Sequence, residues 1–211
     1  MKIPEELAEL GRKRIEGHAV EGFVYGSGPK QPKLMLVGEA PGETEIGNGI
    51  PFSGRAGQKL MEFLEGLGLT REDVYITSAV RSRPYKWREK RNRQGEVEMR
   101  KYNRPPTIKE IIAHAPIIDY EIQHVEAPII VTLGNVGLQR LVGKSMKVTE
   151  VHGQFLQHSV LHIDENDTFQ WSKDKYLLFP TFHPASVFYN PKLRELVASD
   201  QQRLKDWLQK Q

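Results

Sequence analysis

The chain has no cysteine among its 211 residues. That excludes disulfides, thiolate-bound zinc, cysteine-ligated iron–sulfur clusters and a cysteine nucleophile. No apolar run approaches the roughly 18 residues of a membrane span. The charged start, MKIPEELAEL, lacks the apolar core of a signal peptide. A cytoplasmic monomer without membrane contact is the expectation. Nucleotide-binding signatures are missing too: there is no G-x-x-x-x-G-K-[ST], and no G-x-G-x-x-G at a strand end. His158 and His162 are four residues apart, but they fall in an extended segment. No other group of histidines and carboxylates has metal-ligand spacing, so no metal site is expected. Repeats and low-complexity tracts are absent.

Hydrophobic residues make up 38% and charged residues 27%. That composition suits one globular domain, residues 1–211. The net charge of +3 is unevenly placed. Arg81 to Arg104 carries ten Lys/Arg against three Glu, a local +7, and leaves the remainder at −4. Tyr85, Trp87 and Tyr102 interleave with these cations. Such a segment is either a solvated surface loop or a contact for a polyanion, with cations for phosphates and rings for bases.

Apolar periodicity predicts helices at 4–16, with Leu7, Leu10 and Ile15 on one side, and at about 55–66, with Leu60, Phe63, Leu64 and Leu67 facing a core. Thr107 and Glu110 form a capping box for a helix to about Val125. A short helix follows Gly134, and a last one carries Leu193 to Leu208. Short apolar runs predict strands at 33–38, 73–80, 128–134 and 176–184, with short strands and turns over 148–170. Alternating strands and helices argue for an α/β three-layer sandwich, its central, mainly parallel four-stranded sheet flanked by helices. Ligands of such sheets bind beyond the carboxyl ends of the strands. Three loops should meet there: Gly38 to Gly57, SAVRSRP and FHPAS.

The first of these, GEAPGETEIGNGIPFSGRAG, contains six glycines, two prolines and one aromatic, Phe52. It could be a phosphate cradle, a plain long loop, or a slot for something flat. Glycine permits close approach of backbone to ligand, and a ring at Phe52 could stack on a planar group. His183, before Pro184 at the end of the last strand, is either structural or placed at the site edge.

GEAPGETEIGNGIPFSGRAG, VYITSAVRSRP, NRPP, IIVTLG and FHPA together resemble the motifs of family 4 uracil-DNA glycosylases, the bacterial and archaeal thermostable type. They follow the same order from about Gly26 to Leu204. The resemblance implies the same α/β sandwich and a monofunctional DNA-repair enzyme, without lyase activity, acting in base excision. It would flip uracil out of DNA and hydrolyse its N-glycosidic bond, leaving an abasic site. Phe52 would stack on the base. Backbone at Gly38, Glu39 and Ala40 would hold its carbonyls. His183 would steady the departing anion, and Glu39 would place water. Ser186, Val187 and Phe188 would probe the DNA, Ser53 and Ser186 would bind phosphate, and Arg55, Arg81 and Arg83 would lie on the DNA face. A glycosylase for another deaminated base, or a non-catalytic binder of DNA or uracil, are the alternatives on the same fold.

Two departures from the family stand out. Its four cluster-binding cysteines are replaced, by Ser82 and His114 at two positions and within Gly11 to Arg14 at the others. No cluster and no other cofactor is expected. The basic insertion at about 85–104 exceeds the family's usual link and is expected to take over the organisation of the DNA face. The second departure is Ser78, where the family has a base-reading asparagine. A hydroxyl cannot make both amide bonds at the same reach. Weaker uracil activity, altered base preference, a bridging water, or an asparagine from elsewhere such as Asn48 would follow.

Overall fold

The computed structural model describes residues 1–92 and 95–211. Arg93, one cation of the basic segment, lies outside the described residues. In chain order the elements are α1 (Glu5–Arg14), β1 (Val20–Glu21), β2 (Leu34–Gly38), α2 (Glu43–Asn48), α3 (Arg55–Leu67), β3 (Val74–Ser78), β4 (Arg83–Arg91) and β5 (Val97–Asn103). They continue with α4 (Ile108–His124), β6 (Ile130–Leu133), α5 (Gly134–Val142), α6 (Val148–Val151), β7 (Leu156–Ile163), β8 (Phe169–Thr181), α7 (Ser186–Tyr189) and α8 (Leu193–Leu208). No helix among the described residues is long and apolar enough to cross a membrane.

The central sheet has five strands in the order β3-β2-β6-β8-β7, not the expected four. The first four are parallel, and β7 joins the edge antiparallel to β8. Short strands were expected over 148–170 but not as part of this sheet, because β7 and the first half of β8 form a half-exposed ribbon. Its polar residues give no buried run to read. The Asp164 carboxylate closes the turn by accepting from the Asn166 and Thr168 backbone N–H groups.

Alternation along the buried strands splits the core into two layers. Met35 and Val37 pack with Ile118, Ile122 and Leu138 of α4 and α5. Leu34 and Leu36 pack with Leu60, Leu64 and Leu204 of α3 and α8. This is the helix–sheet–helix sandwich expected of strands apolar on both faces. The capping box of α4 is present, with the Glu110 N–H donating to Thr107 Oγ1 and the Thr107 N–H to Glu110 Oε2. Gly68 ends α3 in the left-handed region at φ 76°, whereas Gly66 lies inside the helix. Leu10 of α1 faces solvent, so that helix packs on α4 through Ala8 and Gly11 instead.

The basic segment is a built element. β4 and β5 pair antiparallel from Tyr85↔Asn103 to Arg91↔Val97, and β1 pairs with the start of β4 to give a second, three-stranded sheet.

Candidate active site

Parallel register brings the site together. Gly38 pairs with Ser78, so β2 and β3 end side by side, and β6 and β8 end at Leu133 and Thr181 on the same edge. Beyond that edge lies a slot of about 330 Å³ lined by Ala40, Phe52, Arg55, Ser78, His183 and Phe188. Asn103, Glu45 and Tyr189 also line it, and none was singled out from the sequence.

The glycine-rich loop contains the short helix α2 and is fixed by one buried carboxylate. Glu45 Oε1 accepts from the N–H groups of Ser53 (3.1 Å) and Gly54 (2.9 Å), and its Oε2 accepts from Gly42 (3.1 Å). Gly42 and Gly54 are the N-caps of α2 and α3, so Glu45 satisfies backbone donors at two helix starts at once. Arg71 holds the opposite strand of the loop, donating to the carbonyls of Pro51 (2.8 Å) and Phe52 (2.7 Å).

Between these clamps Phe52 sits at φ 52°, a left-handed conformation that costs a non-glycine residue about 1 kcal/mol or more. Its ring lies directly over Gly38, where an added Cβ would meet ring carbons at 2.6–2.7 Å. Gly57 is required just as strictly, since a Cβ there would lie 1.9 Å from the Phe52 carbonyl oxygen. The ring is half-buried against the α3 side of the core while one face lines the slot, so core packing and ligand presentation coexist.

His183 approaches Phe52 with ring centroids 5.9 Å apart and planes tilted by 34°. Burial pushes its imidazole down to about 4, so it is neutral at neutral pH. The Ala185 N–H donates to its Nδ1 (3.1 Å), which places the imidazole proton on Nε2. The ring is therefore an uncharged, oriented N–H donor. Glu39 follows Gly38 at the strand end, and burial pushes its carboxyl above the ordinary carboxylate range. It does not line the slot itself.

Ser78 is buried at the slot wall, and its hydroxyl donates to the Val80 carbonyl at 2.9 Å. With that proton committed, Ser78 Oγ offers lone pairs to the slot. Asn48 does not supply a substitute amide. Its side chain bonds Ser53 Oγ and the Ile50 N–H, outside the lining. Asn103 does reach the slot, held by the Arg83 Nε–H at 2.6 Å. It is the last residue of β5, so only the fold of the basic ribbon shows where it goes.

Several residues expected on the DNA face are elsewhere. Arg81 is fully buried and ion-paired with Glu121, which also accepts from Tyr75 and Thr77. A charge so buried is held by its partner and cannot reach a phosphate. Arg83 is buried too, paired with Glu21. Val187 turns inward and lines a separate cavity of about 500 Å³ between α3 and α8. Ser186 Oγ is buried without a partner among the described residues, and Ser53 is occupied by Asn48. Arg55 and Phe188 remain at the rim, the guanidinium 4.8 Å from the ring centre. Tyr189, 88% exposed, projects beside them.

The positions that correspond to the family's cluster ligands do not fit an iron–sulfur group. Ser82 Oγ is buried without a partner among the described residues, and His114 Nδ1 accepts from the Arg81 N–H at 2.9 Å. Gly11 is closed off, since a Cβ there would meet Ile117 Cδ1 at 2.5 Å. Phe23 packs edge-on against the His114 ring. The chain has no cysteine, so no thiolate is available to hold such a group there.

An aromatic ring and an oriented, neutral imidazole thus share one slot at the carboxyl edge of a parallel sheet, with a buried carboxyl at the strand end beside it. The chain belongs to the uracil DNA glycosylase superfamily, whose family profile matches residues 25–209. It is 35% identical over 190 residues to a type-4 uracil-DNA glycosylase of Saccharolobus solfataricus, covering 88% of this chain and 76% of that protein. It is similar to the Sulfurisphaera tokodaii type-4 enzyme, at 32% identity over 97% of this chain and 83% of the relative. The Thermotoga maritima type-4 enzyme is 31% identical over the full length of both chains.

Proposed function

We propose that the protein is a monofunctional DNA glycosylase, a monomer that flips uracil out of DNA and hydrolyses its N-glycosidic bond without a bound metal or cluster. The observation that carries this reading is the His183 tautomer facing the Phe52 slot. The flipped ring stacks on Phe52, which excludes water from one face. As the C1′–N1 bond breaks, its electron pair passes to the base. The His183 Nε2–H donates to the carbonyl oxygen on which that charge gathers. Glu39, as carboxylate, takes a proton from the water that attacks C1′; that proton passes through solvent to the departed uracil anion, and the products are neutral uracil and an abasic sugar. No lysine lines the slot among the described residues, which supports hydrolysis without an imine and hence without lyase action.

Ser78 supports uracil rather than cytosine despite the lost amide. An oxygen whose proton is given to Val80 can accept from a base N3–H but faces the bare N3 of cytosine lone pair to lone pair. The same oxygen suits the ring N–H of hypoxanthine or xanthine, and this favours the second reading, a glycosylase for another deaminated base. The test is cleavage of a uracil-containing oligonucleotide after alkali treatment, run beside hypoxanthine, xanthine and thymine-mismatch substrates. Strand breaks at uracil support the main reading. Breaks at another base with none at uracil transfer the function to that base. No breaks on any substrate leave a binder without turnover.

A further inference from the structure

The ribbon of β4 and β5 has two unlike faces. Its register pairs Lys86 with Tyr102, Arg88 with Arg100 and Lys90 with Glu98 on one face, and Tyr85 with Asn103 and Trp87 with Lys101 on the other. The second face is tied to the body. Lys101 pairs with Glu21 and lies over the rings of Tyr85 and Trp87, and Arg83, at its base, also pairs with Glu21. On the first face, Lys86, Arg88 and Arg100 form no ion pair or hydrogen bond among the described residues. Arg88 and Arg100 stand directly opposite each other, an arrangement that costs stability.

That costly face opens onto the slot. Lys86, Arg88, Arg100 and Tyr102 line a depression of about 400 Å³ whose other residues include Glu43, Asn103 and Tyr189, and these three also line the slot. We propose that this face of the ribbon holds the phosphodiester backbone of the DNA strand flanking the flipped nucleotide, with Tyr102 and Tyr189 as stacking platforms for its neighbouring bases. The proposal rests on the glycosylase reading for the position of the flipped base. The facing arginines are then neutralised by phosphate rather than by the protein, and their binding releases counterions. On the other face Arg83 and Lys101, which also line the depression, are already paired with Glu21, and Arg91 stands at the far end of the ribbon outside it.

The test is the doubly substituted R88Q/R100Q protein, with Arg91→Gln on the opposite face as control. Binding to a uracil-free single-stranded oligonucleotide is measured by anisotropy across a salt series. Turnover is measured on a uracil-containing 25-mer and a uracil-containing trinucleotide. Losing two phosphate contacts should reduce the log K–log salt slope by about 1.4. KM should rise on the 25-mer, and less on the trinucleotide, while kcat stays at the wild-type level. The control should keep the wild-type slope. An unchanged slope in the double variant, or an equal change in the control, overturns the assignment. Failure of the wild type to cleave either substrate would count against the glycosylase reading alone, since the salt slope judges the ribbon without turnover.

Discussion

The glycine-rich loop and the basic ribbon stand side by side, yet they are built by opposite rules. In the loop the polar groups that set its shape are satisfied from within. Glu45 takes three backbone N–H groups, Arg71 takes two carbonyls, and Phe52 is locked in a conformation it would not choose alone. On the slot-facing side of the ribbon, cations face each other with no partner. The difference separates two tasks. A slot that must hold a ring at a fixed height over Gly38 needs internal over-determination. A surface that meets a flexible polyanion can leave its charges for the ligand to neutralise. Substitutions in the loop should therefore lose stability and function together, whereas substitutions on the ribbon face should trade one against the other.

The largest effect expected is at the reacting centre. His183→Ala should lower kcat on uracil DNA by about 100- to 1,000-fold, the usual loss for one oriented oxyanion donor. DNA affinity, measured with a uracil-free strand, should be nearly unchanged. A comparable loss of affinity would show that His183 belongs to binding rather than to chemistry.

Next in size is Glu45→Ala. It leaves three backbone donors at two helix starts without their carboxylate, and bonds to charged groups are worth about 1.5–3 kcal/mol each where they are fully desolvated. A loss of about 3 kcal/mol in unfolding free energy is expected, together with loss of uracil release. Retained activity in a destabilised Glu45→Ala protein would break the link between the loop's internal bonding and the slot.

How much of this could be read from the sequence follows the same division. Four strands, the α3 and α4 helices and the Phe52–His183 pairing were legible because apolar period and loop position determine them. Short strands over 148–170 were legible, but not that β7 joins the central sheet, because its exposed ribbon has no buried run. Arg81 and Arg83 sit in a basic stretch and so read as surface charge, but Glu121 and Glu21 come from distant segments that only the fold brings near. Asn103 was missed for a similar reason. Its place in the slot depends on a strand register that no local pattern announces.

A smaller effect is the pH dependence of stability. His183 and His114 titrate at about 4 and about 3 in the folded protein, both depressed chiefly by burial. Between these values and the ordinary histidine value near 6.5, the unfolded chain binds more protons than the folded one. Stability from these groups is thus fully present above about 6.5 and is lost as pH falls through that window. The buried carboxyls of Glu39, Asp119 and Asp200, pushed upward, act in the opposite sense. The clean measurement is therefore a difference. The melting-temperature gap between wild type and His183→Asn should widen from pH 4 to 6.5 and stay level above it. In activity, the acid limb of kcat/KM should fall above the ordinary carboxylate value, because Glu39 protonates before His183 does. A limb centred at 6.5 instead would mean that His183 is exposed and charged.

The smallest effect is the one most particular to the comparison. Removing one of two facing arginines relieves a like-charge cross-strand pair, worth about 0.2–1 kcal/mol. Arg100→Gln alone should thus leave the protein as stable as wild type or slightly more stable, while weakening its hold on DNA. Glu45→Ala in the glycine-rich loop should not behave this way, because removing that carboxylate strands three backbone donors. Denaturant unfolding of Arg100→Gln beside its salt-dependent DNA binding decides the matter. A variant that loses stability as well as affinity would mean that the arginine is already partnered within the protein. The ribbon would then follow the same rule as the loop.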